Sequence, residues 1–200
     1  MTLANKITIL RILMIPVFVL VMLGYIHDHR DGHPHEWQPY LAFSIFALAA
    51  SSDALDGFIA RRFSQKSELG TYLDPLADKG LLITALILLS RDTGGAFQKL
   101  PLWFPVLVIS RDAILLSGTA LIHLLIGKTL PKPRVVGKIA TFFQMLTLGW
   151  IMLKIGRPPH DWPMVAAGLF TFVSGIWYIF DGVKVLSTGE NAAESEKTRA

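Results

Sequence analysis

Residues 51–80 read SSDALDGFIARRFSQKSELGTYLDPLADKG, and this stretch decides how the chain folds and what it can do. It sets Asp53, Asp56, Asp74 and Asp78 between two strongly apolar runs. A carboxylate within a membrane helix is unfavourable by about 2.5–3.5 kcal/mol on insertion scales, so such groups face a wet cavity, pair, or bind a cation. Four of them in one short stretch call for positive charge among them.

The spacing indicates the arrangement. Asp53 and Asp56 are three residues apart and Asp74 and Asp78 four apart, and on a helix either separation puts both side chains on one face. Two antiparallel helices side by side would aim all four carboxylates at a shared point. Hard divalent cations take oxygen ligands, and Mg²⁺ is held by a few carboxylates together with substrate phosphates. Gly57 and Gly70 allow close approach of a neighbouring helix or a phosphate. Arg61 adds a planar donor fork suited to a phosphate. The residues themselves therefore describe a metal–phosphate site at a membrane surface. A helix-end reading, with Asp74 as N-cap before Pro75, accounts for Asp74 but not for the whole set.

The pattern Asp53-x2-Asp56-Gly57-x2-Ala60-Arg61-x8-Gly70-x3-Asp74-x3-Asp78 resembles, position for position, the signature of the CDP-alcohol phosphatidyltransferase family. That resemblance implies an all-α integral membrane protein of six transmembrane helices that acts on a CDP-linked lipid. It implies Asp53, Asp56, Asp74 and Asp78 as ligands of Mg²⁺ or Mn²⁺, two ions in all, with Asp78 also the catalytic base. Gly57, Ala60, Arg61 and Gly70 would line the CDP group. Family members also carry Pro-Asn-x-x-Thr-x-x-Arg near the amino end. Here Asn5, Thr8 and Arg11 are present, with Ala4 in place of the proline, which makes Asn5 and Thr8 secondary CDP-binding candidates. A homodimer is what the family implies.

Composition agrees with a membrane protein: 52% of the 200 residues are hydrophobic and 17% charged, with a mean hydropathy of +0.48. With no cysteine, disulfides and thiolate metal sites are excluded. The net charge of +4 fits loops facing anionic lipid, and no interleaving of basic and aromatic residues points to nucleic acid.

Six spans are expected, at about residues 7–26, 38–60, 69–89, 101–126, 138–155 and 163–185. The first resembles a signal peptide but lacks a small-x-small cleavage site, so it is read as an uncleaved span. Residues 1–186 form the membrane domain and 187–200 a disordered polar tail. The tract HDHRDGHPHE from His27 to Glu36 has a metal-binding composition but is read as a solvated loop. With the amino end inside, Lys6, Arg11, Arg61, Arg62, Lys66, Lys128, Lys132, Arg134 and Lys138 fall on the cytoplasmic side. Arg30, Arg91, Lys99, Lys154 and Arg157 fall opposite. The asymmetry satisfies the positive-inside rule and puts the motif on the cytoplasmic face.

Arg111 and Asp112 lie inside the fourth span, where they either pair with each other or leave Arg111 to bind an anionic substrate; the second is the expectation. Arg111, Lys132, Arg134 and Lys138 then mark a phosphate-bearing acceptor, since a neutral alcohol needs no such group. A positive-inside anchor on anionic lipid explains the same basic loop. The expected reaction moves a phosphatidyl group from CDP-diacylglycerol to glycerol 3-phosphate. Phosphatidylglycerol, the acceptor of cardiolipin-forming family members, is the alternative, and a cation carrier is the alternative of another class.

Overall fold

The computed structural model describes backbone for residues 3–63, 68–126, 135–155 and 162–197, with side chains for 8–52, 79–120, 122, 124, 135–155 and 162–184. The described residues form six helices and no strand: α1 (Leu3–Arg30), α2 (Gln38–Phe63), α3 (Glu68–Ser90), α4 (Trp103–Ile126), α5 (Val135–Met152) and α6 (Trp162–Lys197). Four of them, α1, α4, α5 and α6, contain stretches long and apolar enough to cross a membrane. In α3 the described side chains begin at Lys79, and the apolar stretch among them is Lys79–Ser90. The expected six spans are thus supported as six helices and four candidate crossings among the described residues. Leu20, Leu124 and Phe180 point outward at 70%, 81% and 68% exposure, as suits side chains facing lipid.

The chain divides into two compact units, residues 1–105 with 145–157 and residues 106–144 with 158–200. In the first, α1 packs against both α2 and α3, and α2 also touches α3. Contacts fix the directions. Arg11 meets Ser52, Phe18 meets Phe46 with ring centroids 6.0 Å apart, and Asp28 meets Gln38, so α1 and α2 run antiparallel. Ile15 meets Gly80 and Arg30 meets Asp92, so α1 and α3 run parallel. Hence α2 and α3 are antiparallel, the arrangement expected for the two aspartate-bearing helices.

The buried stripe of α2, Ala42, Phe46 and Ala49, alternates small and large side chains so that α1 can approach closely. Gly149 of α5 does the same for Phe43 of α2, since a Cβ there would lie 2.9 Å from the ring.

Helix ends account for the spans that run differently from expectation. α1 continues four residues past Ile26, to Arg30, because nothing in HDHR breaks it until Gly32, whose φ is +80°. The amide of Gly32 donates to the His29 carbonyl and that of His33 to the Asp28 carbonyl, a Schellman cap. The first residues of the His-rich tract are therefore helix, with His27 3.4 Å from Asp31 one turn on. No group of three or more His, Asp or Glu able to hold a metal occurs among the described residues. α5 stops at Met152, short of Ile155, in a second Schellman cap: Lys154 N–H to the Ile151 carbonyl and Ile155 N–H to the Trp150 carbonyl. α6 runs on to Lys197, past Ser187 where the polar tail was expected to begin; Ala, Glu and Lys in that stretch are good helix formers.

The second cap puts a lysine where glycine is usual, since Lys154 has φ +53°. Its Nζ donates to the Tyr25 hydroxyl and lies 3.4 Å from Glu36 Oε2, which ties α5 to α1 and to the α1–α2 connection. Partial burial pushes the Lys154 ammonium down, but the Tyr25 hydrogen bond and charge, with Glu36, outweigh it and raise its pKa above the ordinary 10.5. Lys154→Gly should be about 1 kcal/mol more stable than Lys154→Ala in thermal unfolding, because both lose the ammonium and only glycine is at ease at positive φ. A group with a raised folded pKa contributes fully below its unfolded value and loses that contribution as pH climbs through the folded one. The melting-temperature gap between wild type and Lys154→Met should therefore hold at neutral pH and close above 10.5.

Candidate functional site

The motif lies on two helices that touch. Asp53, Asp56, Gly57, Ala60 and Arg61 fall in the last turns of α2, and Gly70, Asp74 and Asp78 in the first turns of α3. Each aspartate pair therefore has the helical spacing that puts it on one face. α3 begins at Glu68, six residues before Asp74, so Asp74 is interior to the helix and the N-cap reading does not apply. The motif side chains, with those of Asn5 and the basic residues Lys132 and Arg134, lie outside the described ones. As a donor set, four carboxylates on two touching antiparallel helices fit a hard divalent cation.

What surrounds the motif is described in detail. The buried stripe of α1 runs Thr8, Arg11, Phe18, Met22 and Tyr25, at helical spacing. It is apolar over most of its length and turns polar at its amino end. Thr8 and Arg11 are each 1% exposed, and Arg11 reaches Ser52, the residue before Asp53. The Ser52 hydroxyl donates to the Ala49 carbonyl at 2.8 Å, and its oxygen accepts from Arg11 Nε at 3.4 Å. One turn along α1, Ile15 Cδ1 stands 3.2 Å from where a Cβ on Gly80 would be, two residues past Asp78. This face of α1 thus meets both aspartate helices at the level of the motif.

From sequence, Arg11 belongs to the Asn-x-x-Thr-x-x-Arg pattern and to the cytoplasmic charge, but no functional role is assigned to it or to Ser52. The position of Arg11 on the Thr8-to-Tyr25 stripe was the available signal. Ser44, two turns earlier on α2, donates to the Tyr40 carbonyl of its own helix.

The second unit holds the other charged group. Arg111 is 7% exposed; its Nη1 donates to Asp112 Oδ1 at 2.7 Å and its Nη2 to Ser174 Oγ at 3.0 Å. The guanidinium carbon lies 5.4 Å from the centroid of the Tyr178 ring, within cation–π range. Gly137 makes room for it, because a Cβ there would come within 2.7 Å of Nη2. The structure thus contains the Arg111–Asp112 pair, the first of the two arrangements considered. The Arg111 Nε–H has no acceptor among the described residues. Lys138, on the first turn of α5, is exposed.

Comparison with known proteins adds independent evidence. The family model described as CDP-alcohol phosphatidyltransferase matches residues 1–178. A probable phosphatidylglycerophosphate synthase of Mycobacterium tuberculosis is 35% identical over 180 residues, covering 88% of this chain and 79% of that one. A CDP-diacylglycerol–glycerol-3-phosphate 3-phosphatidyltransferase of Pseudomonas fluorescens is 35% identical over 177 residues, 88% and 83% of the two chains. The protein of the same description from Escherichia coli K12 is 31% identical over 180 residues, 90% of each.

Removing one partner of a buried ion pair leaves the other uncompensated, so Asp112→Ala should lower stability by about 3–5 kcal/mol. Replacing both residues by apolar ones of similar size should recover most of that loss. Thermal unfolding of detergent-solubilised protein measures both.

Proposed function

This chain belongs to the CDP-alcohol phosphatidyltransferase family, and from that membership we propose that it transfers a phosphatidyl group from CDP-diacylglycerol to glycerol 3-phosphate, releasing CMP. It is a phosphatidyltransferase of phospholipid biosynthesis, built as a membrane protein. One observation carries the acceptor assignment: relatives named for glycerol 3-phosphate align over nearly all of this chain. Membership also removes the cation-carrier reading.

In this proposal Asp53, Asp56 and Asp74, with Asp78 at the second position, hold Mg²⁺ or Mn²⁺. Bound there, the ions would neutralise the diphosphate and stabilise charge on the attacking and leaving oxygens. Gly57, Ala60 and Gly70 let the CDP group approach the helices, Arg61 takes a phosphate oxygen, and Asn5 and Thr8 face the nucleotide. Asp78 accepts the proton of the acceptor hydroxyl. That oxygen then bonds to the phosphorus on the diacylglycerol side, the bond from that phosphorus to the CMP oxygen breaks, and CMP departs. Lys132, Arg134 and Lys138 attract the phosphate of the acceptor from the cytoplasmic side. Arg111, held by Asp112 and Ser174, has its Nε–H left over for the same phosphate.

Purified protein with CDP-diacylglycerol and Mg²⁺ or Mn²⁺ should release CMP when offered glycerol 3-phosphate, and not with serine or inositol phosphate. Release with phosphatidylglycerol instead would reassign the acceptor. Asp78→Asn should lower turnover by about 10²–10⁴-fold, the range for a lost general base, with an unchanged melting temperature. Near-normal turnover removes Asp78 from that role.

A further inference from the structure

Arg11 takes no part in the reaction just described, yet it heads the largest fully buried side chains among the described residues. Every other member of that group is apolar or, in Tyr25, aromatic. A guanidinium stays protonated under all ordinary conditions, so this is a permanent charge in a helix interior. Burial of that kind persists only where opposite charge and hydrogen-bond acceptors stand close by.

Its position says which charges those are. Nε reaches Ser52, adjacent to Asp53 and one turn before Asp56 on α2. The next turn of the same α1 face reaches Gly80, just past Asp78 on α3. Among its described residues, α1 therefore carries its one buried cation to the level of the helical segments that hold the motif. We propose that Arg11 is a positioning residue for the metal-binding carboxylates, a fixed cation that offsets their mutual repulsion and holds α2 and α3 in register while the ions are absent. The inference rests on the metal site proposed above and adds a role for a residue outside it.

The expected behaviour has an unusual sign. A cation beside a cation site opposes metal binding through space, so its removal should strengthen binding while weakening the empty protein. Arg11→Met keeps the apolar stem and deletes the charge; Arg11→Lys keeps the charge. Melting temperatures of the full chain in detergent, with EDTA and with saturating Mg²⁺ or Mn²⁺, and metal titration calorimetry separate the cases. Arg11→Met should lose stability mainly in EDTA, roughly double the metal-induced rise in melting temperature, and bind the ion about tenfold more tightly. Arg11→Lys should resemble wild type in all three. If Arg11→Met does not fold, Arg11→Gln, which retains a donor for Ser52, is measured in its place.

Equal loss with and without metal, with unchanged or weakened affinity, makes Arg11 an ordinary packing residue and overturns the inference. A wild type that neither binds nor is stabilised by either metal overturns the metal site as well. The wild-type measurement thus distinguishes the two failures.

Discussion

A charge inside a membrane helix must be met by another charge, and everything distinctive in this protein follows from that constraint. The motif's four aspartates are carried by α2 and α3, which touch, and the α1 stripe that packs on both helices turns from apolar to polar toward its amino end. In the second unit, Arg111 meets the requirement differently, through Asp112, Ser174 and the Tyr178 ring. The two solutions differ in kind. An ion pair balances its charge from within the chain, whereas clustered carboxylates demand cations from outside, and that demand suits a site that must handle a diphosphate.

The geometry that serves the chemistry also serves packing. α1 runs antiparallel to α2 and parallel to α3, so one continuous face of α1 spans both. Toward one end that face is Phe18, Met22 and Tyr25 against apolar neighbours. Toward the other it is Thr8 and Arg11 beside the motif. A single helix thereby combines a hydrophobic seam, which supplies adhesion without direction, with polar contacts that fix height and rotation.

The motif was legible from sequence because helical spacing fixes which side chains share a face before any tertiary contact is known. Helix number and type were legible for a similar reason, being set by apolar length. The burial of Arg11 was not, because a basic residue in a short polar pattern looks the same whether it faces water or a neighbouring helix. Arg111 allowed two readings, since its partner Ser174 lies 63 residues away. Helix ends divided along the same line. Gly32 announces the end of α1 in the sequence, whereas α5 ends at a lysine held at positive φ, for which no local pattern exists.

The composition of the first unit carries a consequence for how the protein is made. Its contiguous part ends at Pro105, but it also takes in residues 145–157, including Gly149 against Phe43 and Lys154 against Tyr25 and Glu36. While a ribosome is still translating α4, the aspartate-bearing helices lack one of their walls. That flank is completed only once α5 has been made, and the contacts that fasten it lie at the end of α1 remote from the motif.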